Sequence, residues 1–489
     1  MRQALTGPLI VALDVGTTGV RALLVDAAGT VRANAYREAL PICPGPGLVE
    51  HPTEDLFGAI FEVLGEALRD TPPRDIRGLG LSSQRATAVV WDTASGRAVH
   101  PAISWQDGRT AARCTALLEQ GVFVSPLAAA TKIEWILDRV DPERHELTAG
   151  RLRCGTLDAW LVQRLTGRAV QATDGSHASC SGLYDFATGG WSPHVAEALR
   201  IPLDALPAIV DSGAILAPLD RALGLPAVPL AAVIGDQQSA MMGQLRLVPG
   251  EVKITYGTAA MIDLNVGAAP LFSMEGAYPL VLWQRDGRPT FCLEGTAITA
   301  GASITWLRDN LGIITTPAEC DAHAASVPDS AGVWAVPAFQ GLGTPYMETQ
   351  ARAVIGGLTR AATRAHIIRA VLEGIAWRCR EVYDALRKDC PFPAPATLRA
   401  DGGAARSDVL LQAQADALGL PVERPAVLQA SALGAAYLAG LSTGVWTSPA
   451  ELAGTWHCEH TFTPRLSTDE REDRFAAWRR HLEASRGNA

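Results

Sequence analysis

The sequence predicts a two-domain α/β protein, and three observations carry that expectation. The chain has 489 residues, more than one hydrophobic core ordinarily organises, so two domains of roughly 200–250 residues each are expected. Short apolar runs that end on glycines, hydroxyls or acids alternate with stretches of helical period. The opening pattern of strand, polar joint and strand then returns near the middle of the chain.

Taken in order, Leu9–Leu13 and Val20–Val25 read as adjacent buried strands, joined by Asp14-Val-Gly-Thr-Thr-Gly19. A hairpin needs only a turn residue or two, so the acid, the hydroxyls and Arg21 beside them are surplus to turning. Asp26-Ala-Ala-Gly-Thr30 turns the chain toward a third strand from Val31. Leu56, Phe57, Ile60, Phe61, Leu64 and Leu68 have helical spacing. Arg77–Ser82 and Ala88–Trp91 read as strands around the joint Ser82-Ser-Gln-Arg85, and Ile133–Val140 as an amphipathic helix. Val233–Asp236 looks like a strand ending on an acid, with a helix just after it. From about Arg246 the pattern restarts: strand Glu251–Tyr256, joint Gly257-Thr258, strand Ala259–Leu264. This echo suggests two halves of one architecture, 1–246 and 247–489. The apolar period from Ile367 to Leu386 predicts a long helix. Leu398–Ala404 is a strand running into glycines, and Ser407 is placed to cap a helix over Val409–Leu418. Ala430–Val445 is rich in small residues and holds Ser431, Ser442 and Thr443, so it reads as a tightly packed interior helix and not as a membrane span.

Nearly half the residues are apolar and under a fifth are charged, as expected of a large globular enzyme. A net charge of −9 argues against a nucleic-acid or anionic-membrane surface. The basic residues are almost all arginine, with lysine only at Lys132, Lys253 and Lys388, which reads as a compositional bias. The nine cysteines are scattered and never spaced Cys-x-x-Cys, so neither a disulfide framework nor a zinc ribbon is expected, and a reducing cytoplasm fits. The apolar start Leu9–Leu13 is cut short by Asp14 and does not read as a signal peptide.

The candidate chemistry sits in the joints. Asp14–Gly19, Gly257-Thr258 and Gly402-Gly403 each follow a strand, remove side-chain bulk and expose backbone N–H groups. Such concavities bind anions. Each alone is a common tight turn; together, in two halves of one chain, they look like opposing phosphate clamps. No Gly-Lys dipeptide, and hence no P-loop, is present, and the protein-kinase triplets are missing too. ATP, if bound, must be held by hydroxyls, backbone and Arg21. Asp236 lies at the C-terminal end of a strand between Gly235 and Gln237, where an open α/β sheet places ligands. It is the candidate general base, or else the N-cap of the next helix. Asp14 could order Mg²⁺ through waters or cap a turn.

Asp14-Val-Gly-Thr-Thr18, Ile234-Gly-Asp-Gln-Gln238, Tyr256-Gly-Thr258, Gly341-Leu-Gly-Thr-Pro-Tyr346 with Gly357-Leu-Thr359, and Asp401-Gly-Gly-Ala404 follow one another as in a known family. Over nearly the whole chain the sequence resembles the FGGY carbohydrate kinases. Within that family Leu48-Val-Glu-His51, Ser83-Gln-Arg85, Trp105-Gln106, Thr131-Lys132 and Gly301-Ala-Ser-Ile304 are most similar to segments of the glycerol kinases.

The resemblance implies an actin-like, ribonuclease-H-type fold of two domains with ATP in a cleft between them. It implies Asp236 as general base and as a metal-facing carboxylate with Asp14. Thr17, Thr18 and Arg21 would sit near the β/γ phosphates and Mg²⁺. Gly257, Thr258, Gly301, Thr305, Gly402, Gly403, Ala404 and Ser407 would line the nucleotide. Arg85, Trp105, Gln237 and Asp236 would face the acceptor, and a homodimer or homotetramer is reasonable.

Two positions depart from the glycerol-kinase pattern: Arg85 is followed by Ala86 where those enzymes have glutamate, and Leu127 stands in place of a tyrosine. Each lost polar contact to a buried hydroxyl costs ~1–3 kcal/mol. A larger, less polar pocket would suit a longer polyol, a ketose such as xylulose or ribulose, erythritol, or a deoxy or methylated substrate. The segment 221–229 lacks the Gly-Gly-x-x-x-Arg loop by which some bacterial glycerol kinases bind a sugar bisphosphate. Asp107 receives no role. A reading from a different class, an actin-like ATP-binding regulator without a small acceptor, is opposed by the joint presence of Asp236, Arg85 and Trp105.

Overall fold

A computed structural model describes residues 7–486. The chain forms two compact units that are not contiguous in sequence. The first runs to Leu245 and recruits Leu280–Thr290 and Ser431–Thr455; the second comprises Arg246–Pro279, Phe291–Ala430 and the remainder from Trp456.

The first unit is organised by a five-stranded sheet in the order Leu230–Gly235, Ile76–Ser83, Leu9–Val15, Gly19–Asp26, Val31–Glu38. The first three of these are mutually parallel and the last two complete an antiparallel meander. Val11, Leu13, Val20, Leu24, Leu79 and Leu81 are fully buried in one core. Helix Thr53–Leu68 packs on the meander through Leu56, Phe57, Ile60, Val63 and Leu64, the i, i+3, i+4 stripe that burial of one helical face requires. A second, four-stranded sheet in the order Glu50–His51, Ala102–Ile103, Ala88–Asp92, Leu152–Thr156 has its own core with helix Ala130–Val140, entered by Ile133, Ile136 and Leu137.

The small-residue helix expected late in the chain is Ala430–Ser442, and its part from Ser431 onward belongs to the first unit. Its packing there is backbone against backbone. A Cβ on Gly434 would lie 1.8 Å from the carbonyl oxygen of Ser239, and one on Gly80 would lie 2.1 Å from that of Ala435. The Ser239 hydroxyl donates to the Ser431 carbonyl at 2.5 Å. The helix stops three residues short of Val445 because Gly444 takes φ +74° and Trp446 folds back over Gly440.

In the second unit Val252–Tyr256 pairs antiparallel with Ala260–Gly267 and parallel with Leu398–Asp401, which pairs parallel with Val422–Pro425. The Ala260–Gly267 strand runs three residues beyond its predicted end at Leu264 and closes where Gly267 adopts φ +77°. Helix Arg364–Lys388 carries the apolar period expected from Ile367 to Leu386. Ser407 caps helix Asp408–Leu418, its hydroxyl accepting from the Leu410 N–H. The Gly341–Tyr346 signature is a packing clasp: Gly343 leaves no room for a Cβ against the Thr296 carbonyl, Arg378 donates to the Thr344 carbonyl at 2.8 Å, and the Tyr346 hydroxyl donates to Glu381. Among the described residues no helix is long and apolar enough to cross a membrane.

Replacing Gly434 with alanine forces a methyl into a backbone carbonyl that no rotamer change can move. Denaturant unfolding of Gly434→Ala is expected to show a loss of about 3 kcal/mol, with an unchanged far-UV spectrum before the transition.

Candidate active site

Three parallel strands end level with one another. Asp14 pairs with Ser82 and Val15 with Ser83, while on the other edge of the same strand Ile234 pairs with Ser82 and Gly235 with Ser83. Residues just beyond those ends, Gly16–Thr18, Gln84–Ala86 and Asp236–Gln237, are therefore delivered to one rim of the sheet, the position where open α/β sheets bind ligands.

Two carboxylates meet at this rim. Asp14 accepts from the Ser82 hydroxyl at 2.9 Å. Burial, reinforced by the negative charge of Asp236, pushes its pKa up to about 7, against the pull of the Ser82 bond and of Arg21. Asp236 is the first residue of helix Asp236–Gly243, where the unpaired N–H groups favour a carboxylate. Its Oδ1 accepts from Arg85 Nε at 3.1 Å and from the Gln237 N–H at 2.8 Å. The side chain of Asp236 remains 24 % exposed, so solvent or a substrate can reach it. Gly235 makes this pairing possible: a Cβ there would lie 2.8 Å from Cδ of Arg85.

The remaining candidates of the first unit fall around this pair. The Trp105 indole donates to the Thr17 hydroxyl at 3.0 Å, which leaves the Thr17 proton available to donate onward. Thr18 is exposed, and its carbonyl accepts from Ala39. Arg21 is the cross-strand partner of Asp14; its guanidinium donates to Asn34 at 2.6 Å and lies over the Tyr36 ring, so it acts on Asp14 through charge. Ala86 is buried with φ +57°, and Leu127 is exposed. Asp107, without a role in the sequence, is an anchor: it pairs with Arg109 at 2.7 Å and accepts from the Val49 N–H at 2.6 Å.

In the second unit Gly257, Thr258 and Gly301 converge. The Gly301 N–H donates to Gly257 and the N–H groups of Ala300 and Ala302 to Thr258, and a Cβ on Gly301 would lie 2.6 Å from the Gly257 carbonyl. Thr255 and Asp401 are register partners, so Gly402 emerges beside this turn. With φ +89° it tolerates no Cβ, which would lie 2.5 Å from the Tyr256 carbonyl. Gly403 and Thr305 are exposed and Ala404 half-buried. The Ser407 hydroxyl donates to Asp321 and accepts from the Leu410 N–H.

Sequence reasoning missed a buried network behind Asp236. The Gly235 N–H donates to the Ser176 hydroxyl at 2.8 Å, Ser176 donates to Asp174 at 2.7 Å, and Ser212 donates to the other Asp174 oxygen at 2.6 Å. Asp174 and its partners are inaccessible to solvent. The only sequence signal was an acid between two hydroxyl residues in Thr173–Ser176.

Paired carboxylates at level strand ends, hydroxyl- and glycine-lined turns and an arginine across the rim define a phosphotransferase acting on an alcohol. The comparisons with known proteins agree. Residues 9–243 match the FGGY family of carbohydrate kinases, N-terminal domain, and residues 252–443 its C-terminal domain. The chain is 43% identical over 495 residues to a glycerol kinase of Bordetella parapertussis, covering 98% of this chain and 97% of that one. It is 41% identical over 490 residues to a glycerol kinase of Symbiobacterium thermophilum, covering 98% of each. The crystal structure of Plasmodium falciparum glycerol kinase with ADP superposes with a TM-score of 0.90 at 26% identity, covering 99% of both chains. The chain belongs to the FGGY family of carbohydrate kinases, with that family's actin-like ATPase fold, and is an ATP-dependent kinase of a small polyol or sugar.

The raised pKa of Asp14 has a thermodynamic signature. Between the unfolded carboxyl's value of 3.8 and about 7 the folded chain binds the extra proton, so stability falls as pH rises through that window. Asp14→Asn removes this slope. Unfolding free energies should match wild type at acid pH and exceed it, on the order of 2 kcal/mol, above neutrality, as read by denaturant titrations across pH.

Proposed function

We propose that Asp236 is the general base that takes the proton from a terminal hydroxyl of the acceptor as it attacks the γ-phosphorus of ATP, with ADP leaving. The observation that carries this reading is the arrangement of its carboxylate: both hydrogen bonds fall on Oδ1, from Arg85 and from its own helix, while the group stays reachable. A reachable carboxylate oriented by a guanidinium and a helix N-terminus, with an oxygen to spare, is suited to accept a proton. Arg85 and Gln237 then donate to acceptor hydroxyls, and Trp105 covers the carbon face. Thr17 and Thr18 face the β/γ phosphates with the backbone of the Gly16–Gly19 turn, and Arg21 supplies positive charge at that end. Gly257, Thr258, Gly301, Gly402 and Gly403 take the nucleotide, with Thr305 and Ala404 at its margin.

The residues fit a magnesium ion. Burial, and after it the charge of Asp236, raises the pKa of Asp14, and a cation there would offset both. Among the described residues no cluster of three or more His, Cys, Asp or Glu is placed to hold a metal, which suits Mg²⁺ bound through one or two carboxylates, waters and phosphate oxygens. When bound, the ion would offset the negative charge of the phosphates. Its ligands here would be Asp14 and Asp236.

For the acceptor, two readings stand. The curated relatives carry the name glycerol kinase, which favours glycerol. Ala86 and Leu127 favour a longer polyol or a ketose, because they withdraw a carboxylate and a phenol from the pocket. The left-handed backbone at residue 86 is already occupied by a residue with a Cβ, so a glutamate can be introduced without added backbone strain. A cytoplasmic location and a homodimeric or homotetrameric state complete the proposal.

Asp236→Asn should reduce turnover by about 10³-fold or more while ADP and ATP binding, measured by calorimetry, stay near wild type; retention of most activity would sink the assignment. In a coupled assay with glycerol, dihydroxyacetone, erythritol, ribulose and xylulose, the Ala86→Glu, Leu127→Tyr double variant should raise kcat/KM for glycerol about tenfold or more relative to the other acceptors.

A further inference from the structure

In a chain whose cations are nearly all arginine, two of the three lysines have no exposed surface. Lys253 is explained by its ion pair with Asp263 at 2.7 Å. Lys132 is not paired in that way. It lies in the first turn of helix Ala130–Val140, and its ammonium donates to two backbone carbonyls at 3.1 Å each, those of Trp105 and Leu127. Among the described residues it makes no ion pair. Burial pushes its pKa down to about 7, opposed by the charge of Asp107.

Burying a cation costs several kcal/mol unless its donors are matched, and a methionine or leucine would fill the same space without that cost. The two acceptors explain why a lysine is there. Trp105 is 27 residues and Leu127 five residues from Lys132 in sequence, and they lie in separate loops. Neither loop has a strand to fix it: Trp105 follows Ala102–Ile103 and Leu127 precedes the helix. A compact head with three tetrahedral donors can bridge two carbonyls from a narrow space, where the broad, planar fork of arginine cannot. The Trp105 indole is bonded separately to Thr17, a side-chain anchor that does not pass through the lysine.

We propose that Lys132 is a positioning residue for the acceptor: by clamping the Trp105 and Leu127 carbonyls it sets the spacing of two walls of the acceptor pocket, and thereby the acceptor KM. This rests on the reading above that Trp105 and Leu127 face the acceptor. The clamp acts on main-chain atoms, so it persists whatever side chains line the pocket, and it separates acceptor size, set by residues 86 and 127, from acceptor affinity.

The test is steady-state kinetics of Lys132→Met, Lys132→Gln and Trp105→Ala, with glycerol, dihydroxyacetone and ribulose as acceptors. In Lys132→Met the KM of every acceptor turned over should rise about 20-fold, with kcat and the ATP KM within about threefold of wild type. Lys132→Gln, whose amide can still donate to a carbonyl, should recover part of that loss, and it carries the test if the methionine variant does not fold. Acceptor KM values unchanged in both lysine variants but raised in Trp105→Ala overturn the clamp and leave the pocket reading standing. Values unchanged in all three overturn both. Parallel losses in acceptor KM, ATP KM and melting temperature, with no recovery by glutamine, overturn the clamp in favour of a purely structural lysine.

Discussion

The structure of the first unit turns on the repulsion between two carboxylates. Asp14 and Asp236 belong to strands that flank a common neighbour, Ile76–Ser83, and the level ends of the three strands bring them to one rim. Neither can be moved back without breaking the ladder that places the other. The surrounding groups answer the resulting field unequally. Asp236 receives a guanidinium and a helix N-terminus, whereas Asp14 receives a serine hydroxyl and a more distant arginine. The same environment therefore treats the two carboxylates differently: one is bonded by a guanidinium and by its own helix, while burial and its neighbour's charge raise the pKa of the other.

Around this pair the fold uses buried polar anchors more than side-chain packing. Gln84 donates to the Gly16 carbonyl and accepts from Thr87, so the end of one strand holds the turn after its neighbour. Burial holds the nearby His51 down to about 4, which keeps it neutral against Gln84. The Ser212–Asp174–Ser176 network reaches the Gly235 N–H, one residue before the base. Asp107 and Lys132 hold the loops around Val49, Trp105 and Leu127. These anchors satisfy main-chain groups at strand ends and in loops, and unsatisfied buried groups of this kind are costly.

Much of this was legible in the amino-acid order, for a physical reason. The strand ends break from apolar to polar abruptly, so Asp14, Ser82–Arg85, Asp236 and Gly257-Thr258 stood out, as did the helices with clear apolar stripes. The two non-contiguous units did not, because the late helix joins the first unit through contacts of Gly80 and Gly434 with main-chain oxygens, and a backbone contact leaves only small residues as its mark. Ser407 was legible as a cap, because a hydroxyl just ahead of an apolar helical run marks a helix start. Lys132 and Asp174 received no individual role because a buried charge and a surface charge are written with the same letter.

The late arrival of Ser431–Thr455 bears on how the chain is made. The Trp446 indole donates to the Ala27 carbonyl, and a Cβ on Gly29 would strike Thr455, so the first strands synthesised wait for some of the last. A nascent chain leaving the ribosome carries an unfinished first unit, with the groove over Gly80 and Ser239 open, through most of translation. A fragment ending near Leu245 would be an incomplete folding module even though it contains both carboxylates.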